Sequence, residues 1–474
     1  MKIITKITAA LAALGLVSQA LANPTASGGT VYLTGSSAFR SAVYNALADD
    51  SGDAGAVFAS GTVQYGTWGN SNPGSANYMV FYGTLKGTST TVYIDCAWSG
   101  SEAGIASACN TTLGNTDRNG NPLTLAGSPE TWVDVTTCSL GSVGGSGYLS
   151  AYNPVANGQS ITNGAQFEAS SHGADLAQAD TSQTVSWTPY VAGTQTGLID
   201  FGSEGVVTFT ISKNVNPAPT QAYLDCTNIT IPQLNIITAD GWAPASFIDG
   251  NPADSLTSVY LVGRNRGSGT RMNYLSCSTY GAHNTVKQFS IGYGCGDPGD
   301  PSQTPTTLWL TNEVNNGYES GGSLAKALAD TGGSDSAGSC QQADPFKNIA
   351  PYNTGDTNWF AFGYLSPADA LSTGNNGGQS TPLYCNTNYW LLVDGVFSDN
   401  QNIENGSWWF WGHEHLYGRY NIAGSTAQTV GTTLFSAVQG QISTLGTAPG
   451  GHDLGIPYSL MQVTKSSDTS FPTF

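Results

Sequence analysis

Three times along this chain a short apolar run passes through a Ser/Gly turn into apolar residues at helical spacing. The first run is Thr30–Thr34; after the turn Phe39, Val43 and Leu47 recur every fourth residue, with Ser36 or Ser37 placed to cap the helix. The second, Thr91–Cys96, leads through Trp98-Ser99-Gly100-Ser101 into a short helix over Glu102–Cys109. The third, Val259–Gly263, leads through Gly267-Ser268-Gly269-Thr270 into a helix carrying Met272, Leu275 and Thr279. Further strands are predicted at Gly205–Ile211 and Phe360–Tyr364, and further helices at Ile229–Asp240, Gly322–Leu328, Pro367–Leu371 and Thr432–Leu445. Trp408–Tyr417 reads as a buried strand where the chain crosses between lobes; stacking of Trp408–Trp411 on sugar rings is the alternative. Strands alternating with helices predict α/β lobes built on parallel sheet.

Two polar stretches, about 110–166 and 281–350, lack this periodicity and read as large loop-rich insertions. Within the first, Asp117–Asn121 is a turn, since the later acidic ligand of a calcium loop is missing. At the start, Met1–Lys6 is basic, Ile7–Val17 is apolar and Ala20-Leu21-Ala22 has the small-x-small form. This predicts a signal peptide over 1–22, a mature chain from Asn23, and a periplasmic or extracellular protein. The apolar run is too short to cross a bilayer and no later stretch reaches that length, so no membrane insertion is expected. Eight cysteines in an exported chain predict as many as four disulfides, with Cys96–Cys109 one candidate pair and the connectivity open. No Cys-x-x-Cys occurs, so neither a zinc nor a redox motif is expected from them.

Charge narrows the partners. With 14 Lys and Arg against 32 Asp and Glu, the formal charge of −18 argues against nucleic acid and anionic membranes. A small anion is not excluded, because a local site overrides the global field at close range. Of only six arginines, three (Arg264, Arg266 and Arg271) fall in or beside the third Ser/Gly turn. Unpaired N–H groups at a helix start, the positive end of the helix dipole and guanidinium forks together predict an oxyanion site there.

The order of these pieces resembles the periplasmic phosphate-binding proteins of ABC uptake systems. Leu33-Thr34-Gly35-Ser36-Ser37-Ala38-Phe39 is similar to that family's first loop, and Trp98–Ser101 to its Gly-Ser-Ser-Gly turn. Ala177–Asp180 stands where the family has an Ala-Ser-Asp segment, and Ile231–Trp242 looks like its next helix and exit. Arg264 with Gly267-Ser268-Gly269-Thr270 is similar to its Arg-x-x-Gly-Ser-Gly-Thr, and Gly363-Tyr364 to its later Gly-Tyr. The resemblance implies an α/β, two-lobed periplasmic-binding-protein-like fold with a hinge. Lobe I would span 23–204, lobe II 205–402, and 403–474 would return to lobe I. The ligand would be inorganic phosphate or a similar oxyanion, with an ABC permease as partner. Arg264 would be the bidentate charge partner, Ser268, Gly269 and Thr270 donors, and Ser99 with Ser36, Ser37, Ala38 and Phe39 further donors. Asp180 would accept the proton of a protonated oxyanion and so favour phosphate or arsenate over sulfate. Two departures bear on selectivity: Ala38 replaces the family's Thr in a loop one residue shorter, and Arg266 stands where an acidic residue is usual.

No Gly-x-Ser-x-Gly elbow, assignable triad or singled-out carboxylate pair is present, so no catalytic residue and no cofactor are assigned. His413-Glu414-His415 could place two imidazoles on one strand face, but it reads as packing among aromatics and no metal is assigned. Two alternatives on the same scaffold stay open: a surface or adhesion protein binding glycans, and a phosphatase-like enzyme.

Overall fold

The structure, a computed structural model, describes residues 23–68, 73–109, 132–138, 140–142, 167–168, 173–186, 197–216, 219–293, 305–311, 317–318, 321–329, 357–371, 389, 391–445, 455–468 and 470–473. The predicted signal peptide, the Asp117–Asn121 turn and most of both insertions lie outside them, as do Cys295, Cys340 and Cys385.

In chain order the strands are β1 Thr30–Gly35, β2 Gln64–Trp68, β3 Tyr78–Thr84, β4 Thr91–Ala97, β5 Gly141–Ser142, β6 Leu176–Ala179, β7 Ile199–Thr208, β8 Thr210–Lys213, β9 Asn228–Ile229, β10 Trp242–Pro244, β11 Thr257–Leu261, β12 Gln288–Tyr293, β13 Pro305–Thr311, β14 Asn358–Leu365, β15 Leu392–Val393 and β16 Trp411–Gly418. An eight-stranded sheet runs β5-β2-β3-β4-β1-β6-β16-β7, and a four-stranded sheet runs β10-β11-β14-β8. The molecule is therefore mixed α/β, as the alternation predicts.

Parallel pairing is confined to the middle of each sheet. In the first, β1 pairs with β4 (Thr30↔Tyr93 to Thr34↔Ala97) and with β6; in the second, β11 pairs with β14. These strands are the nearly continuous apolar ones, as burial on both faces requires. Alternation then divides the large sheet. Leu33, Leu176 and Leu416 pack with the Arg40–Ala48 and Thr426–Leu445 helices, whereas Ala177, Ala179 and Tyr417 pack with Ile105 and Ala108 of the Ser101–Ala108 helix.

The predicted strand over Gly205–Ile211 is two strands. It breaks at Phe209, fully buried and stacked on Phe410 at 4.8 Å, so that β7 serves the large sheet and β8 the small one. The return crossing occupies the same spot: Trp408 Nε1 donates to Phe209 O at 2.9 Å and to Phe410 O at 3.0 Å. The Trp408–Trp411 aromatics are buried here. This position accounts for them without a sugar ring.

Local chemistry sets the helix ends. Thr230 and Gln233 form a reciprocal capping box on the Ile231–Asp240 helix, which ends at the left-handed Gly241. The Thr426–Leu445 helix begins six residues before the predicted start, because Ser425 Oγ accepts from Gln428 N at 3.3 Å. Neither Ser36 nor Ser37 caps the Arg40–Ala48 helix. Phe39 holds the cap position without a side-chain bond, while Ser36 N–H donates to Gln178 O at 2.8 Å. The helix predicted at Gly322–Leu328 is found over Gly321–Ala329, and the stretch 281–350 also holds an unpredicted antiparallel pair, β12 and β13.

The five described cysteines, Cys96, Cys109, Cys138, Cys226 and Cys277, are buried free thiols. The Cys96–Cys109 bond is not formed: Cys96 packs in the main core beneath the large sheet, and Cys109 in the separate cluster under the Ser101–Ala108 helix. Among the described residues no helix is long and apolar enough to cross a membrane.

Candidate anion-binding junction

The carboxyl ends of β1, β4, β6 and β11 meet, in the position where open α/β sheets offer a ligand crevice. Gly100 N–H donates to Gly35 O at 2.9 Å, and the Thr34 hydroxyl bonds Ala97 O and lies 3.0 Å from Ser99 Oγ. Both glycines are required. Gly35 has φ +121° and Gly100 φ +100°, and a Cβ would strike Gln178 O at the first and lie 2.5 Å from Gly267 O at the second. The third turn closes onto the second: Glu102 N and Ala103 N donate to Gly267 O at 3.1 and 3.4 Å. Asp180 joins them, its N–H donating to Ser101 Oγ at 3.2 Å and its carbonyl accepting from Asn273 Nδ2 at 2.7 Å. Gly269 packs so closely on Asp180 that a Cβ would collide with Oδ1.

Arg264 is 2% exposed and held along its whole length. Its N–H donates to Tyr364 Oη at 3.1 Å and its Nε to Tyr318 O at 3.1 Å, while its carbonyl accepts from Arg271 Nη1 and Gln288 Nε2 at 3.2 and 2.9 Å. Asp369, fixed by Ser366 Oγ at 2.8 Å, is the carboxylate this guanidinium faces. Both crowd Gly321, where a Cβ would meet Asp369 Oδ2 and lie 3.3 Å from Arg264 Nη1. Arg40, first residue of its helix, faces the same carboxylate and donates to Asn77 Oδ1 at 3.3 Å.

Burial moves the protons of this group. It pulls Arg40 down to about 10, with Asp369 opposing and Arg264 reinforcing. It raises Asp369 above the usual carboxylate range, against Arg264 and then Arg40. Asp180 rises to about 7, again through burial, with the Ser101 hydroxyl and Arg264 holding it down. Arg40 Nε and Asp180 Oδ1 are buried without a hydrogen-bond partner, whereas the Ser36 hydroxyl faces the buried Glu414 carboxyl. Such orphaned atoms cost stability unless an occupant satisfies them.

Of the residues expected at an anion site, the structure brings together Ser99, Asp180, Arg264, Gly269 and the backbone of the Gly35–Ser36 turn. Ser268 Oγ accepts from Arg271 N at 3.2 Å and so caps its own helix, and Thr270 is buried on that helix's first turn. Ser37 is half-buried; Ala38 and Phe39 belong to the core, with Phe39 against Gly205 and Gly455. Phe39 therefore brings no side chain to the junction. Arg271 is buried and braces the Arg264 carbonyl. Sequence reading missed Arg40, Ser101 and Asp369. The signal for Arg40 was available, as one of six arginines directly following the first loop; Asp369 carried none, being brought in by the turn after β14.

No family model and no curated protein matches the chain. Among solved structures it is similar to a protein from Clostridium perfringens described as a phosphate ABC transporter substrate-binding protein with bound phosphate. That match has 12% identity over 90% of this chain and 96% of the other, with a TM-score of 0.38. It is also similar to an ABC-type phosphate transport receptor from Vibrio cholerae, with 14% identity over 57% of this chain and 78% of the other and a TM-score of 0.29. Scores this low carry no ligand from those proteins to this one.

Proposed function

We propose that this chain is an exported solute-binding protein that holds phosphate or a related oxyanion between two lobes, 23–204 and 205–402, with 403–474 completing the first. The observation that supports the reading is that two buried arginines converge on one carboxylate. Arg40 and Arg264 both face Asp369, and Asp180 is a carboxyl that burial keeps partly protonated at neutral pH. Two guanidiniums sharing one buried carboxylate are incompletely balanced by it, and an anion accepting from both would complete the balance. Ser36, Ser99, Gly269 and Thr270 would offer it neutral donors, and Asp180 would supply the proton-sensitive contact. An ABC permease is the partner that such a carrier serves. Isothermal titration of phosphate-stripped protein tests the reading: phosphate binds with one site, sulfate binds far more weakly, and Arg264→Ala loses most of the affinity. Absence of phosphate binding to the unsubstituted chain sinks it.

One observation favours a second reading, a surface or matrix protein that keeps the scaffold without the ligand. The donors at the start of the Ser101–Ala108 helix are already taken by Gly267 O, and Ser268 caps its own helix. On that reading phosphate has no effect on melting, and glycan binding is indifferent to Arg264→Ala.

A further inference from the structure

We propose that His413, His415 and Asp468 form a binding site for one first-row divalent transition ion, Zn²⁺ above all, separate from the anion junction. The two histidines alternate with the buried Glu414 along β16, so both imidazoles leave the same face, their centroids 6.2 Å apart. Register irregularities against β7 lie on either side of His415, between Glu414 and His415 and between Leu416 and Tyr417; such bulges re-aim side chains. Asp468 arrives from the C-terminal segment, 55 residues beyond His413. Its Oδ1 lies 2.8 Å from His413 Nδ1 and its Oδ2 3.7 Å from His415 Nε2, and one donor atom from each residue falls within 4.8 Å of the others.

Two further contacts make this a built site rather than a chance meeting. Ser182 N–H donates to Asp468 Oδ2 at 2.6 Å and fixes the carboxylate. Asp200, from the neighbouring strand, places Oδ2 3.6 Å from His415 Nδ1, on the far side of the ring from Asp468. The Asp200 carboxylate stands beyond hydrogen-bond distance of this buried Nδ1; closing that gap when the ion binds would hold the proton on Nδ1 and leave Nε2 to ligate, the outer support that metal-binding histidines have. Asp468 is buried, at 3% side-chain exposure, while the imidazoles keep 18% and 16%, enough for an ion to enter from solvent.

Two imidazole nitrogens and a carboxylate suit zinc and its neighbours; calcium and magnesium demand more oxygens. The ion takes the place of the proton that His413 Nδ1 shares with Asp468, and that proton passes to solvent or to Nε2. The fourth position falls to water. Bound metal would tie the C-terminal segment to β16, next to the edge strand of the large sheet.

The test uses the full mature chain, free of any polyhistidine tag and stripped of metal. Titration with Co²⁺ is expected to give one equivalent of tetrahedral d–d absorption with no sulfur-to-metal charge transfer, displaced by Zn²⁺, and Zn²⁺ should raise the melting temperature. The His413→Ala/His415→Ala pair should abolish the signal. Asp200→Asn, which removes no ligand, should weaken Zn²⁺ affinity about tenfold or more, and it covers the case in which the double variant does not fold. No binding to the unsubstituted chain, a charge-transfer band marking thiol ligation, or affinity unchanged by Asp200→Asn and by the histidine substitutions overturns the proposal.

Discussion

Glu102 N and the carbonyl oxygen of Gly267 lie 3.1 Å apart, a hydrogen bond that joins a helix start on the large sheet to a turn beside the small one. The positive end of the Ser101–Ala108 helix is thus filled by a neutral dipole from across the junction. An anion drawn to that helix has to displace Gly267 O, which couples binding to separation of the two turns.

Arg40 faces the same carboxylate as Arg264, and on the proposed function it serves the anion as well. Arg40→Ala removes a charge-assisted donor, worth roughly 1.5–3 kcal/mol, or about ten- to a hundredfold in phosphate affinity. Calorimetry decides the point. Unchanged affinity would confine Arg40 to a structural role beside Asp369.

Asp180 makes stability depend on pH in a defined window. Its carboxyl is raised from 3.8 to about 7, so between those values the folded chain keeps a proton that the unfolded chain has released. Stability is therefore lost as pH rises through this range. Asp180→Asn removes the slope: relative to the variant, the unsubstituted protein should melt progressively lower from about pH 4 to about pH 7. The same substitution should narrow the preference for phosphate over sulfate. Parallel melting curves across that window would refute the assignment.

Gly269→Ala drives a methyl group into Asp180 Oδ1 and lies 2.7 Å from Ser101 Cβ. Overpacking of this kind costs roughly 1–3 kcal/mol, and here it falls on the contact between the second and third turns. A lower denaturation midpoint with unchanged slope is expected. By contrast Gly29→Ala, where a Cβ meets nothing within 4 Å, should show only the modest effect of its positive φ.

The described thiols should be silent until the chain unfolds. Burial pushes Cys109, Cys138 and Cys226 up to about 12, leaving little thiolate at neutral pH. Iodoacetamide without reductant should therefore spare Cys96, Cys109, Cys138, Cys226 and Cys277 in the native protein and label all five in denaturant, as read by peptide mass. Failure of Cys96 and Cys109 to label in denaturant would show a bond between them.

Much of the fold was legible because local signals and burial agree. The apolar runs at β1, β4, β11 and β14 give the parallel centres, and the helix expected over Ile229–Asp240 is present from Ile231, with Ile229 itself in β9. What sequence could not show was where one apolar run serves two sheets: nothing in Gly205–Ile211 marks Phe209 as a corner until Phe410 stacks on it. The junction divides the same way. Its turns announce themselves through glycine and serine, but Ser268 is spent on its own helix and Phe39 on the core, and those uses depend on packing. Asp369 and Asp468 are ordinary acids in sequence, and only tertiary contact places one beside Arg264 and the other between two histidines.

The place of β16 has a consequence for how the protein is made. It lies between β6 and β7, bonding Glu414 O to the Ser203 hydroxyl across 211 residues of sequence. Until the last part of the chain emerges, β6 and β7 both present open edges, a hazard for association with other chains. A nascent or truncated chain ending before Trp411 cannot close the large sheet, however complete its first two hundred residues are. Synthesis of this protein thus carries a long interval with both edges open, ended by the insertion of a single strand.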